Sequence, residues 1–180
     1  MRVDEGLLRK VRERWQPLPW SGQWEEVELE EDLRPVMPAH VEGKVSREEG
    51  GYRFQGTLSA RLTAPCHRCL RPVEFALDVP VEALFTTSPV DETSEETMPE
   101  GDIPRYPLES ERVLDLSPAL HDALVLALPM KVLCQEDCPG LCPHCGALLE
   151  EGPCGCSEGP ADPRMAPLLA LLNGNERSQK

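Results

Sequence analysis

Residues 52–85 read YRFQGTLSARLTAPCHRCLRPVEFALDVPVEALF, and this stretch decides the fold. Tyr52, Phe54, Leu58, Ala60, Leu62 and Ala64 occupy even positions, while Arg53, Gln55, Thr57, Ser59, Arg61 and Thr63 occupy odd ones. A period of two sustained over residues 52–64 is the signature of a long half-buried strand. After Pro65-Cys66-His67-Arg68-Cys69-Leu70-Arg71-Pro72 the alternation resumes in the other parity. Val73, Phe75, Leu77, Val79, Val81 and Phe85 are apolar; Glu74, Asp78 and Glu82 are not. Two strands joined by a short Cys-x-x-Cys loop pair antiparallel.

Upstream of this hairpin, His40 to Ser46 reads as another strand, turned into it by Glu48-Glu49-Gly50-Gly51. Trp20 to Leu29 alternates more weakly, with glutamates on the wet side. The opening residues read as a short helix carrying Leu7, Leu8, Val11 and Trp15 on one side, ended by Pro17 and Pro19. Downstream, residues 87–101 are acidic and turn-rich, with too little apolar surface to offset the entropy of ordering; their removal is expected to be tolerated. Ile103 to Val113 offers an edge strand, weakened by Pro104 and Pro107. Ser117-Pro118 opens a helix through Leu120, Leu124 and Leu128, with Ser117 in the capping position and Pro129 as the stop. A last helix is expected through Leu168 to Leu172.

The fold class is therefore α+β: a curved antiparallel sheet, one packing helix, and a C-terminal cysteine-rich zinc module. The expected division is residues 1–128, sheet and helix, and residues 129–180, the cysteine module.

Composition narrows the function. The chain has 180 residues and a formal net charge of −14, which excludes a protein wrapping nucleic acid over its whole surface. No run approaches the roughly 20 apolar residues of a membrane span. The charged N-terminal stretch lacks the apolar core of a signal peptide, so a cytoplasmic protein is expected. In that compartment the 8 cysteines point to metal rather than disulfides. They are Cys66, Cys69, Cys134, Cys138, Cys142, Cys145, Cys154 and Cys156.

Cys142-Pro143-His144-Cys145-Gly146 has the form of a zinc knuckle, a tight turn that sets two sulfurs on one ion. Cys66-His67-Arg68-Cys69 is a second half-site with Leu70 where the knuckle has glycine. Zinc takes four such ligands in a tetrahedron. Eight thiols make two complete sites, and two structural zinc ions are expected. The preferred partition joins Cys142, Cys145, Cys154 and Cys156 locally, with Gly155 turning the chain between sulfurs. The other site then joins Cys66 and Cys69 to Cys134 and Cys138 across 64 intervening residues. Cys138 is also close enough to serve the knuckle instead. The same ligands suit an iron–sulfur cluster. A redox Cys66–Cys69 pair is disfavoured, because a thioredoxin-like motif opens a helix in a βαβ unit.

No phosphate loop, nucleophile elbow or metalloprotease motif is present, and four thiolates leave no open position for water. From Gln55 to Val73 there is no acidic residue, while Arg61, Arg68 and Arg71 are present. They either offset thiolate charge or contact RNA phosphates.

PCHRCLRPVEF at 65–75, the string CPGLCPHCG at 138–146 and DPRMAPLLALL at 162–172 together resemble the YceD family, the bacterial and plastid large ribosomal RNA subunit accumulation proteins. The resemblance implies a non-enzymatic role in accumulation or processing of 23S ribosomal RNA and in large-subunit assembly. It implies ribosomal RNA precursor, a basic ribosomal protein, or both as partners, with no membrane and no small-molecule substrate. The rival class is a zinc-stabilised interaction module whose acidic surface holds a basic ribosomal protein.

Overall fold

The computed structural model describes residues 1–25, 27, 29, 32–87, 103–108, 112–156 and 164. Two compact units emerge, Met1–Cys138 and Pro139–Lys180. The expected division lies ten residues earlier. The difference arises because Val132, Cys134 and Cys138 bond to the hairpin loop of the first unit.

In the first unit, β1 (Arg2–Val3) precedes α1 (Glu5–Arg14), β2 (Leu18–Trp24), β3 (Arg34–Pro35), β4 (Ala39–Glu48), β5 (Gly51–Pro65), β6 (Pro72–Thr86), β7 (Arg105–Pro107), β8 (Leu114–Asp115) and α2 (Ser117–Ala127). The main sheet runs β2-β4-β5-β6-β7, with β3 extending the β4 edge of β5. β1 and β8 form a separate two-stranded ribbon. The class is α+β on a mostly antiparallel, mixed sheet.

The decisive hairpin forms as its periodicity requires. β5 and β6 pair in unbroken register from Gly51↔Thr86 to Pro65↔Pro72. All six even-position apolar side chains of β5 are buried, as are Val79, Val81, Ala83 and Phe85 on β6. Toward the loop, Val73, Phe75 and Leu77 stay half-exposed. On the opposite face Arg53 binds Glu82 and Ser59 donates to Asp78 at 2.7 Å. Leu8 and Val11 of α1 and Ala119, Leu120 and Leu124 of α2 complete one core with the sheet. Burial of ten or so such aliphatic and aromatic side chains, at about 1.5–3 kcal/mol each, is what holds this unit.

One even position of β5 breaks the apolar series. Gly56 faces Gly43 of β4, which faces Trp20 of β2. A Cβ on Gly56 would lie 2.2 Å from the Glu42 carbonyl oxygen and 2.9 Å from Phe54 Cζ. The glycine pair thus leaves space that the Phe54 ring fills, edge-on to Trp20 with centroids 6.0 Å apart.

Four expectations change. β7 pairs parallel to β6, not antiparallel, with Phe85 and Tyr106 stacked at 5.6 Å. Residues 87–104 are long enough for the crossover that a parallel pair demands. Ser117 is the first helical residue rather than the cap; its N–H donates to Asp115 Oδ1 at 2.9 Å. Trp15 leaves the apolar stripe of α1. It is the C-cap, at φ 53 and 70% exposed. That left-handed conformation costs a non-glycine residue about 1–2 kcal/mol. The regular strand stops at Trp24, although Val27 and Leu29 still pack against the core. The expected helix through Leu168–Leu172 and most of the 87–101 stretch lie outside the described residues.

Candidate metal centres

The loop between β5 and β6 is a tight knuckle. Cys66 N–H donates to the Arg71 carbonyl at 2.8 Å, and Leu70 N–H donates to the Cys66 carbonyl at 2.9 Å. In the second unit Cys142 N–H donates to the Ala147 carbonyl at 2.8 Å and Gly146 N–H to the Cys142 carbonyl at 2.9 Å. The two Cys-x-x-Cys segments therefore share one hydrogen-bond frame. Gly146 adopts φ 73, and Leu70 adopts the same left-handed conformation at φ 61 without being glycine. Within each unit this frame directs two sulfurs to one point.

The eight thiols collect into two groups, Cys66, Cys69, Cys134 and Cys138 in the first unit and Cys142, Cys145, Cys154 and Cys156 in the second. Within each group all ligand atoms lie within 4.8 Å of one another. Cys66 and Cys138 sulfurs are 3.8 Å apart, and those of Cys69 and Cys134 are 3.6 Å apart. A tetrahedron with ~2.3 Å arms has edges of about 3.8 Å. A disulfide would bring two sulfurs to about 2.05 Å. The donor set and its spacing fit a tetrahedral thiolate-loving ion such as zinc. With four sulfurs engaged, no position would remain for water or substrate.

Backbone and arginine donors prepare the first group. His67 N–H donates to the Val132 carbonyl at 2.9 Å, and Val132 N–H donates to His67 Nδ1 at 3.0 Å. This reciprocal strap lays the 132–138 segment on the loop, so His67 acts as an anchor outside the sulfur group. Arg68 Nη1 donates to the Cys138 carbonyl at 2.9 Å, and Arg71 Nη2 reaches Cys134 Sγ at 3.8 Å. Burial pushes the Cys66 thiol up, but N–H groups of Arg68, Cys69 and Cys134 outweigh it and bring it down to about 6. The Arg71 guanidinium lowers Cys69. Arg61 takes no part. It lies four register positions back from Pro65, about 13 Å along the strand.

In the second group, N–H donors of Cys145 and His144 lower Cys142 to about 6, the latter 3.4 Å from Sγ. Cys156 is pushed up to about 12, first by side-chain hydrogen bonding to Cys145 and Cys154, then by burial and by the like charge of those two thiolates. A divalent ion removes that conflict. Gly155 turns at φ 75 between Cys154 and Cys156. Cys145 and Cys156 are exposed, whereas Cys66, Cys69 and Cys138 are buried. The Val132–His67 strap escaped the sequence reading because neither residue carries a spacing signal.

Fold and sulfur groups define a small sheet protein with two four-cysteine centres and, among the described residues, no helix long and apolar enough to cross a membrane. A family model described as the large ribosomal RNA subunit accumulation protein YceD matches residues 54–172, and the chain belongs to that family. An uncharacterized protein of Mycobacterium tuberculosis is 36% identical over 129 residues, covering 72% of this chain and 59% of the relative. The chain thus spans about three fifths of the mycobacterial relatives it matches. The YlbN protein of Bacillus subtilis, also uncharacterized, is 24% identical over 155 residues, 83% of each chain. The chloroplastic large ribosomal RNA subunit accumulation protein YCED homolog 1 of Zea mays is 24% identical over 165 residues, covering 78% of this chain and 54% of the relative. No solved structure matches the chain.

Proposed function

We propose that this chain is a cytoplasmic accessory protein, without catalysis of its own, that supports accumulation of 23S ribosomal RNA and assembly of the large ribosomal subunit. Family membership carries the reading, since the named relatives in maize and Arabidopsis are large ribosomal RNA subunit accumulation proteins. The site chemistry supports it from the other side: two filled four-thiolate zinc centres would hold a fold together and offer no position for catalysis.

The eight cysteines are the ligands of two zinc ions in this reading. Arg68 and Arg71 serve the first centre, whose four thiolates and one zinc carry a formal −2. Their contacts with the Cys138 carbonyl and the Cys134 sulfur favour charge compensation over RNA contact at the loop. The net charge of −14 supports a second reading, in which the acidic surface holds a basic ribosomal protein before assembly.

Depleting the protein in its host and measuring 23S against 16S ribosomal RNA tests the proposal. The expected result is a selective loss of 23S RNA and of large subunits on a sucrose gradient. An unchanged ratio would overturn it.

A further inference from the structure

Residues 9–15 read Arg-Lys-Val-Arg-Glu-Arg-Trp, and four of the six positions 9–14 are basic in a chain of net charge −14. α1 sorts them. Leu8 and Val11 enter the core, while Arg9, Lys10, Arg14 and Trp15 are exposed. Lys10 and Arg14 stand at i and i+4, a like-charge pairing that weakens a helix. Among the described residues, no side-chain hydrogen bond or ion pair occupies Arg9, Lys10 or Arg14. The helix dipole accounts for basic residues in the last turn, Arg12 and Arg14. It accounts for neither Arg9 and Lys10 nor the indole beside them.

Trp15 is 70% exposed and sits at φ 53, its N–H bonded to the Val11 carbonyl at 3.1 Å. A glycine or asparagine would hold that cap without strain. Strained residues that present a side chain to solvent concentrate at functional surfaces. Cations without partners beside an exposed aromatic plane are the elements of a single-strand nucleic-acid surface: charges for phosphates, a ring for an unpaired base.

We propose that α1 and Trp15 form an RNA-binding surface, with Arg9, Lys10 and Arg14 on phosphates of a single-stranded segment and one base stacked on Trp15. The inference rests on the ribosomal RNA reading above and places the contact on α1, outside the family-matched residues 54–172, and not on the cysteine loop. A lipid surface fits less well, because the apolar side of α1 is already buried and Trp15 alone, without an apolar face beside it, remains to insert. An acidic protein segment would use the cations and leave the indole idle.

The test titrates the full, metal-loaded chain against a labelled uridylate dodecamer by fluorescence anisotropy. Three phosphate contacts on a single strand give a slope of about −2 in log K against log salt. Arg9→Gln, Lys10→Gln and Arg14→Gln together should flatten that slope toward zero. Trp15→Ala should weaken binding roughly five-fold or more, and Trp15→Phe should restore most of the loss. Melting curves confirm that each variant is folded. Arg61→Gln, on the ribbon outside the sulfur group, should leave dodecamer affinity in place. Absent wild-type binding, an unchanged affinity in the α1 variants, or equal affinity for a poly-glutamate peptide would each overturn the RNA assignment. Complementation separates the two claims. If depletion lowers 23S RNA and the four-residue α1 variant restores it fully, the α1 surface is refuted and the ribosomal role stands. If depletion leaves 23S RNA intact, the ribosomal role falls and dodecamer binding alone decides the surface.

Discussion

Replacing Cys134 by Ser together with Cys138 by Ala removes both sulfurs that the 132–138 segment offers the first centre. The metal that would join this segment to the β5–β6 loop closes a loop of 64 intervening residues between Cys69 and Cys134. In the chain-entropy picture, opening a cross-link of that span costs about 4 kcal/mol. For a chain of this size each kcal/mol moves the melting temperature by roughly 2–4 °C. The double variant should therefore melt roughly 8–16 °C lower. Tryptophan emission is the right probe, because Trp15, Trp20 and Trp24 all belong to the sheet unit. Native mass spectrometry on the same sample should show one zinc ion where the parent shows two. A parent carrying one ion, or coloured by iron, would refute the two-zinc account. A variant that loses one zinc yet melts within about 2 °C of its parent would refute the clasp, since loop closure would then contribute nothing to the sheet.

Gly56→Ala should destabilise the sheet by about 1–3 kcal/mol, because the added Cβ meets the Glu42 carbonyl oxygen and Gly43 Cα, which are backbone atoms; the urea midpoint reads this. Contrary to the expectation from composition, deleting residues 87–101 should lower the melting temperature, since residues 102–104 are too few to return the chain for the parallel β6–β7 pair. Replacing the same residues by an equal length of Gly and Ser should not lower it, and similar loss in both variants would contradict the length argument. Partial burial pushes the Asp115 carboxyl up, but the Ser117 N–H leads the interactions that hold it below the usual carboxylate range. Its stabilisation is present above that range and is lost as pH falls through the lowered value. Asp115→Asn should melt below the parent at pH 6, and the difference should shrink as pH falls below the usual carboxylate range.

The hairpin was legible because β5 and β6 each present one face to the core, so every second residue had to be apolar. The second sulfur group was legible because its knuckle and its Cys-Gly-Cys turn are local, and the first followed as the four thiols that remained. What escaped the reading was set by non-local partners. Two-residue strands such as Arg2–Val3 and Leu114–Asp115 carry no period. The direction of β7 depends on where Tyr106 finds Phe85, not on its own three residues. The reason for Gly56 in an apolar series lies in the Phe54 ring and the facing backbone of β4, which no local pattern encodes. The roles of Arg68 and Arg71 became distinguishable only once the Cys134–Cys138 segment was seen against them.

The unbroken register of β5 with β6, about 50 Å of ribbon at 3.3 Å per residue, leads to the sulfur pair at its end. Inserting one residue into either strand would turn every later side chain to the opposite face and carry Cys66 and Cys69 off their partners. The length of this arm is therefore quantised. Homologous chains that keep the loop cysteines should lengthen or shorten the two strands only in steps of two, matched across the ribbon, or by bulges confined to one strand. Evolution can move the sulfur pair outward or inward along the arm by discrete notches of about 7 Å, but it has no continuous path between them.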